Sequence, residues 1–101
     1  MPLIVDAWMQ HPTPRHSADP MFASLRRWTA GQGRPDVITP EHTIAALDQG
    51  GVDHAMAAAW SGPQGWLIDH EEVKAMADAH PGRIIGVAGA DLFNPMAAVR
   101  E

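Results

Sequence analysis

Three short apolar runs, at residues 3–5, 55–60 and 84–90, alternate with two segments that carry helix start and stop signals. This alternation constrains the chain more than any other feature. Strands separated by crossover helices imply right-handed βαβ units and a parallel sheet. The first run, Leu3-Ile4-Val5-Asp6, lies almost at the amino terminus. A long polar excursion, residues 11–38, follows it before a regular crossover helix begins. Within that excursion Thr13-Pro14-Arg15-His16-Ser17-Ala18 reads as a proline-punctuated loop. Asp19-Pro20 reads as a cap with proline in the first helical position. Met21, Leu25 and Trp28 then make one apolar stripe, with Phe22 beside it, and Gly31-Gln32-Gly33-Arg34-Pro35 ends that helix.

Thr39-Pro40-Glu41 starts the first crossover helix, with Ile44 and Leu47 on its buried face and Gly50-Gly51 at its end. The run 55–60 is mostly alanine, and periodicity fits strand or helix. The glycines before it and Ser61-Gly62-Pro63 after it favour a strand. A loop over 61–66 leads to Asp69 and Glu72, a D-x-x-E capping pair. Val73, Met76 and Ala77 form that helix's buried face, and Pro81-Gly82 ends it. The run 84–90 is the clearest later strand, apolar on both faces. Asn94-Pro95 opens a further helix in which the sequence stops. Three strands with two and a half helices give a parallel sheet little cover. The fold expected is therefore the front of a larger α/β domain, with a (β/α)8 barrel of roughly 250 residues as the parent.

The end of the first strand is where chemistry is expected. Period-two geometry puts Asp6, Trp8 and Gln10 on one face and Ala7, Met9 and His11 on the other. Strand carboxyl ends form the catalytic rim of a barrel. The net charge of −5, with seven scattered Lys and Arg, argues against a nucleic-acid footprint or a basic membrane patch. Without cysteine there is neither disulfide nor thiolate metal site. No basic leader or spanning apolar run is present, so a cytoplasmic location is expected.

The opening Ile4-Val5-Asp6, the insertion after it, the helix at Thr39-Pro40-Glu41 and the run Ala77-Asp78-Ala79-His80-Pro81-Gly82-Arg83-Ile84-Ile85-Gly86 together resemble the amino-terminal part of the amidohydrolase superfamily. The nearest branch is the amidohydrolase-related one that includes aminocarboxymuconate-semialdehyde decarboxylase and γ-resorcylate decarboxylase. Asn94-Pro95-Met96 and the residues after it are similar to the start of that branch's third helix. The resemblance spans nearly the whole chain, or about 40% of a typical barrel. It implies three βα units of a TIM-barrel-like metal-dependent hydrolase fold, with residues 1–101 as a partial domain. Such proteins carry D-x-H-x-H at the end of the first strand, and the two His bind a divalent metal, zinc or manganese. Here Asp6 is kept, while Trp8 and Gln10 stand at the two His positions. Indole nitrogen only donates, and an amide oxygen is a weak ligand for zinc. The resemblance places the other ligands on later strands, so no metal is expected in this chain.

Asp6 is accordingly the catalytic candidate, against a plain role in capping the strand. Trp8, Gln10 and Trp60 are candidates for lining a substrate pocket, against ordinary packing. His11 and Asp91 are secondary candidates, against a loop histidine and a turn residue. His16, His42, His54, His70 and His80 show no ligand spacing, and Gly86-x-x-Gly89 is no dinucleotide fingerprint. The function expected is that of an incomplete amidohydrolase-like chain. Its intact relative would hydrolyse or decarboxylate a small carboxylated or aromatic substrate, and this chain alone would be inactive. The rival is a non-catalytic α/β module that pairs with itself or with the missing remainder of a barrel through unpaired outer strands.

Overall fold

The computed structural model describes residues 2–32 and 37–100. Strand β1 (Val5–Met9) runs parallel to β2 (His54–Ala58), and β2 runs parallel to β5 (Ile84–Val87). The order across the sheet is β1-β2-β5, so the three strands lie side by side in the order in which they occur in the chain. Between β1 and β2 comes helix α3 (Pro40–Gln49), and between β2 and β5 comes α4 (His70–Ala79).

Local chemistry explains where these two helices begin. The Thr39 hydroxyl accepts from the His42 N–H at 3.2 Å, and His42 Nδ1 accepts from the Thr39 N–H at 3.0 Å. Asp69 and Glu72 do the same for α4, at 2.8 and 3.0 Å. Each reciprocal pair satisfies two donors that a helix start would otherwise leave orphaned. Leu47 of α3 and Met76 of α4 bury their side chains against Ala55 and Ala57 of β2 and Ile84 of β5. Both helices therefore cover one and the same face of the sheet. Alanines on the central strand let the helices sit close. Gly86 extends that close approach, since a Cβ there would lie 3.1 Å from Val73 Cγ1.

Among the described residues no helix packs on the opposite face, and its outer strands are open to solvent. Val5 is 49% exposed and Ile85 47%, although a parallel sheet normally needs cover on both sides. The molecule is a slab of 43 × 35 × 20 Å. Its radius of gyration of 14.7 Å exceeds the roughly 13 Å of a compact chain this long. The architecture is α/β and open, with no closed barrel among the described residues.

Four local expectations are corrected. Residues 61–66 are not a loop, because β3 (Trp60–Gly62) and β4 (Gly65–Ile68) pair as an antiparallel hairpin. Its turn needs Gly65, whose φ of +120° a side chain would strain. Residues 13–18 are not a loop either: Thr13 caps the short helix α1 (Pro14–Ala18). The helix expected from Asp19-Pro20 is split into a 3-10 turn (Pro20–Phe22) and α2 (Ala23–Thr29), and its stripe of Met21, Leu25 and Trp28 faces solvent. Of the expected end of that helix, Gly31 and Gln32 are described and residues 33–36 lie outside the described part. Finally, the run 84–90 pairs only over Ile84–Val87. The expected last helix is present as α5 (Pro95–Arg100).

Candidate functional site

The carboxyl ends of β1, β2 and β5 leave the sheet at one rim, where β1 runs on into Gln10 and His11, β2 into Ala59 and Trp60, and β5 into the loop that carries Asp91. The β1 end is irregular. Asp6 pairs with Ala55 and Met9 with Ala57, so three steps on β1 match two on β2. This bulge interrupts the period-two alternation and sets Asp6 and Met9 both beside residues of the helix-covered face. The Asp6 carboxylate accepts from the Trp8 N–H at 3.1 Å and so holds the bulged turn of backbone. Trp8 itself is 74% exposed, and Gln10 is half-buried.

His11 is held more firmly. Its Nδ1 shares a hydrogen bond with the Thr43 hydroxyl of α3 at 2.7 Å. Burial lowers its pKa below the usual 6.5, and the charges of Glu41 and Glu72 offset part of that shift. The ring is therefore neutral at neutral pH and spans the gap between the ends of β1 and α3.

Trp60 is half-buried, with one part of its ring in an aromatic cluster. Its ring is 4.9 Å from that of His16 and 6.1 Å from that of Phe22, both edge-on. Asp91 accepts from the Phe93 N–H at 3.0 Å and shapes a turn. Next to it the Ser61 hydroxyl donates to the Ala90 carbonyl at 3.4 Å, which ties the hairpin to the loop after β5. Trp60 and the Asp91 loop thus share one side of the rim, with Trp8 and Gln10 on the β1 side.

Several residues that sequence reading passed over build this end of the molecule. Thr13 is buried, and its hydroxyl both accepts from the His16 N–H at 3.1 Å and donates to the Leu67 carbonyl at 2.5 Å. Arg15 pairs with Glu72, which also caps α4. The His70 ring lies tilted against Trp66, centroids 4.8 Å apart, with its Nε2 3.0 Å from both the amide nitrogen and the carbonyl oxygen of Gly89. Thr13 and Leu67, Arg15 and Glu72, and His70 and Gly89 lie far apart in the chain, so no local pattern announces those contacts. A start signal at Thr13-Pro14, which repeats Thr39-Pro40, could have revealed α1.

The opposite, amino-terminal end of the sheet carries an open cleft of about 400 Å³, lined by Leu3, Val52, Asp53, His54 and Arg83 among others. Arg83 is committed there to structure. It donates to the Val52 and Asp53 carbonyls at 3.1 and 2.8 Å and pairs with Asp48 at 2.8 Å. That end clasps the β2 entry to β5.

A divalent metal, which the family resemblance implies, does not fit the residues at the β1 end. An indole offers no lone pair there, and the Gln10 amide would be a single weak ligand. Among the described residues no three His, Asp or Glu side chains converge on one point, and no helix is long and apolar enough to cross a membrane. Compared with family models, with curated proteins and with solved structures, the chain gives no match.

Proposed function

We propose that this chain is the amino-terminal, pocket-forming part of an amidohydrolase-like enzyme acting on a small carboxylated or aromatic substrate. The observation that supports this reading best is the strand order β1-β2-β5 with both crossover helices on one face. A singly wound order of this kind is the way a (β/α)8 barrel begins, and it gathers the strand carboxyl ends into one rim. In this reading Trp8, Gln10 and Trp60 line the substrate, and Asp6 holds the β1 end in shape. The hydrolytic or decarboxylating centre is supplied by parts of a full-length relative beyond this stretch, so the stretch alone binds without turnover.

The four tryptophans supply the test. Salicylate, a small carboxylated aromatic, is titrated into the labelled protein while the indole N–H resonances are followed. Saturable shifts at Trp8 and Trp60, with Trp28 unmoved, are expected. Shifts confined to Trp28 and Trp66, or no saturable shift, would overturn the reading.

A second reading, a self-associating non-catalytic module, is favoured by the bare sheet face around Val5 and Ile85. Sizing chromatography decides for it if the chain elutes as a defined dimer, and against it if the chain elutes as a monomer.

A further inference from the structure

Among the described residues, His16 alone has buried side-chain polar atoms with no partner: both ring nitrogens are shielded from solvent and unbonded. Its ring lies 4.7 Å from Phe22 and 4.9 Å from Trp60, in a small aromatic box. Neutral imidazole tolerates such a box at the cost of one unmade N–H bond. Imidazolium brings a full charge and two donors, and the box satisfies neither.

The elements around His16 hold the box in unequal ways. Helix α1 is anchored independently, by the Thr13 hydroxyl on Leu67 and by Arg15 on Glu72. Among the described residues, the arm that follows, residues 20–29, has no such side-chain anchor to the sheet or hairpin. Its Arg26 lies on the Ser17 and Asp19 carbonyls at 2.6 and 3.0 Å, within the arm's own base. Its Met21, Leu25 and Trp28 are exposed. Phe22 is the arm's ring in the box, and Asp19, extended at ψ 137°, is the joint between α1 and the arm.

We propose that the His16–Phe22–Trp60 cluster is a proton-released latch: protonation of His16 frees the arm 20–29 and bares Trp60 at the rim. The charged groups nearby are few. Asp19 favours imidazolium, Arg15 is engaged by Glu72 and Asp69, Arg26 by backbone carbonyls, and Arg27 by Ser24. The 3-10 turn and β3 bring Phe22 and Trp60 to the ring, and neither element contains a titratable side chain. Burial outweighs Asp19, so the His16 pKa lies below its usual 6.5. The proposal does not depend on what the rim binds.

The test follows the His16 ring protons, the Trp60 indole N–H and amide exchange by NMR from about pH 8 to about pH 5. The expected result is a His16 midpoint below 6.5, with the Trp60 shift and loss of protection in residues 20–29 tracking it while β2 and β5 stay protected. His16→Phe and His16→Met, neither of which titrates, keep the arm docked throughout. Phe22→Ala releases it already at the alkaline end. A His16 midpoint at or above 6.5 would mean the rings stabilise imidazolium and would overturn the proposal, as would acid release of the arm in either His16 variant.

Discussion

Thr13→Val changes little in shape and removes a hydroxyl that serves two elements. In the native chain that oxygen accepts from the His16 N–H and donates to the Leu67 carbonyl, in a site only 5% exposed. Loss of a helix cap costs about 1 kcal/mol. The Leu67 carbonyl is partly buried, so leaving it unpaired costs the lower part of the roughly 1–3 kcal/mol of a buried group. Because α1 is short and can loosen locally, the low end of the combined range applies, about 2 kcal/mol. Thr13→Ser keeps both bonds and loses one methyl group, about 0.8 kcal/mol. Urea denaturation measures the difference, with an unchanged slope and a lower midpoint for Val than for Ser. For a domain of this size about 2 kcal/mol corresponds to a fall in Tm of roughly 8–16 °C. If Val proves as stable as Ser, the hydroxyl does not join α1 to β4.

Gly86→Ala places a methyl 3.1 Å from Val73 Cγ1 and is expected to cost about 1 kcal/mol by overpacking. Adding Val73→Ala should make the pair cost less than the sum of the two single changes, as a double-mutant cycle in urea would show. For His11, burial lowers the folded-state pKa below the unfolded value of 6.5. The unfolded chain therefore takes up the proton first, so stability is full above pH 6.5 and declines as the pH falls through it. His11→Asn should flatten that decline without abolishing it, because His16 shifts in the same direction. An unchanged slope of urea midpoint against pH would refute the assignment.

Much of the layout was legible in residues that act locally. Thr39-Pro40, Asp69 with Glu72, and Asn94-Pro95 mark helix starts because capping is decided within one turn of chain. The three sheet strands were legible as apolar runs. The hairpin was hidden because Gly62, Pro63, Gln64 and Gly65, read one by one, signal a loop as well as a tight turn. The face assignment at Asp6, Trp8 and Gln10 depended on strict alternation, and one extra residue in the β1 register undid it. His16 and Trp60 were visible as residue types, but their meeting depends on how the excursion folds back, which no periodicity encodes. Arg15 and Glu72, 57 positions apart, are illegible for the same reason.

The proposed rim depends on the sequential, singly wound strand order of the sheet. The absence of cysteine lets disulfide trapping test this order directly. Met56 and Ile85 are register partners on β2 and β5. Neighbouring strands lie about 4.8 Å apart, within the span a disulfide bridges. Val5 and Ile85 sit on strands separated by β2, roughly 10 Å apart and beyond that span. In mild oxidation the double variant Met56→Cys, Ile85→Cys should cross-link readily within the monomer, and Val5→Cys, Ile85→Cys should not. The reverse outcome would put β1 at the centre of the sheet, as in a doubly wound fold, and would rule out the β1-β2-β5 rim.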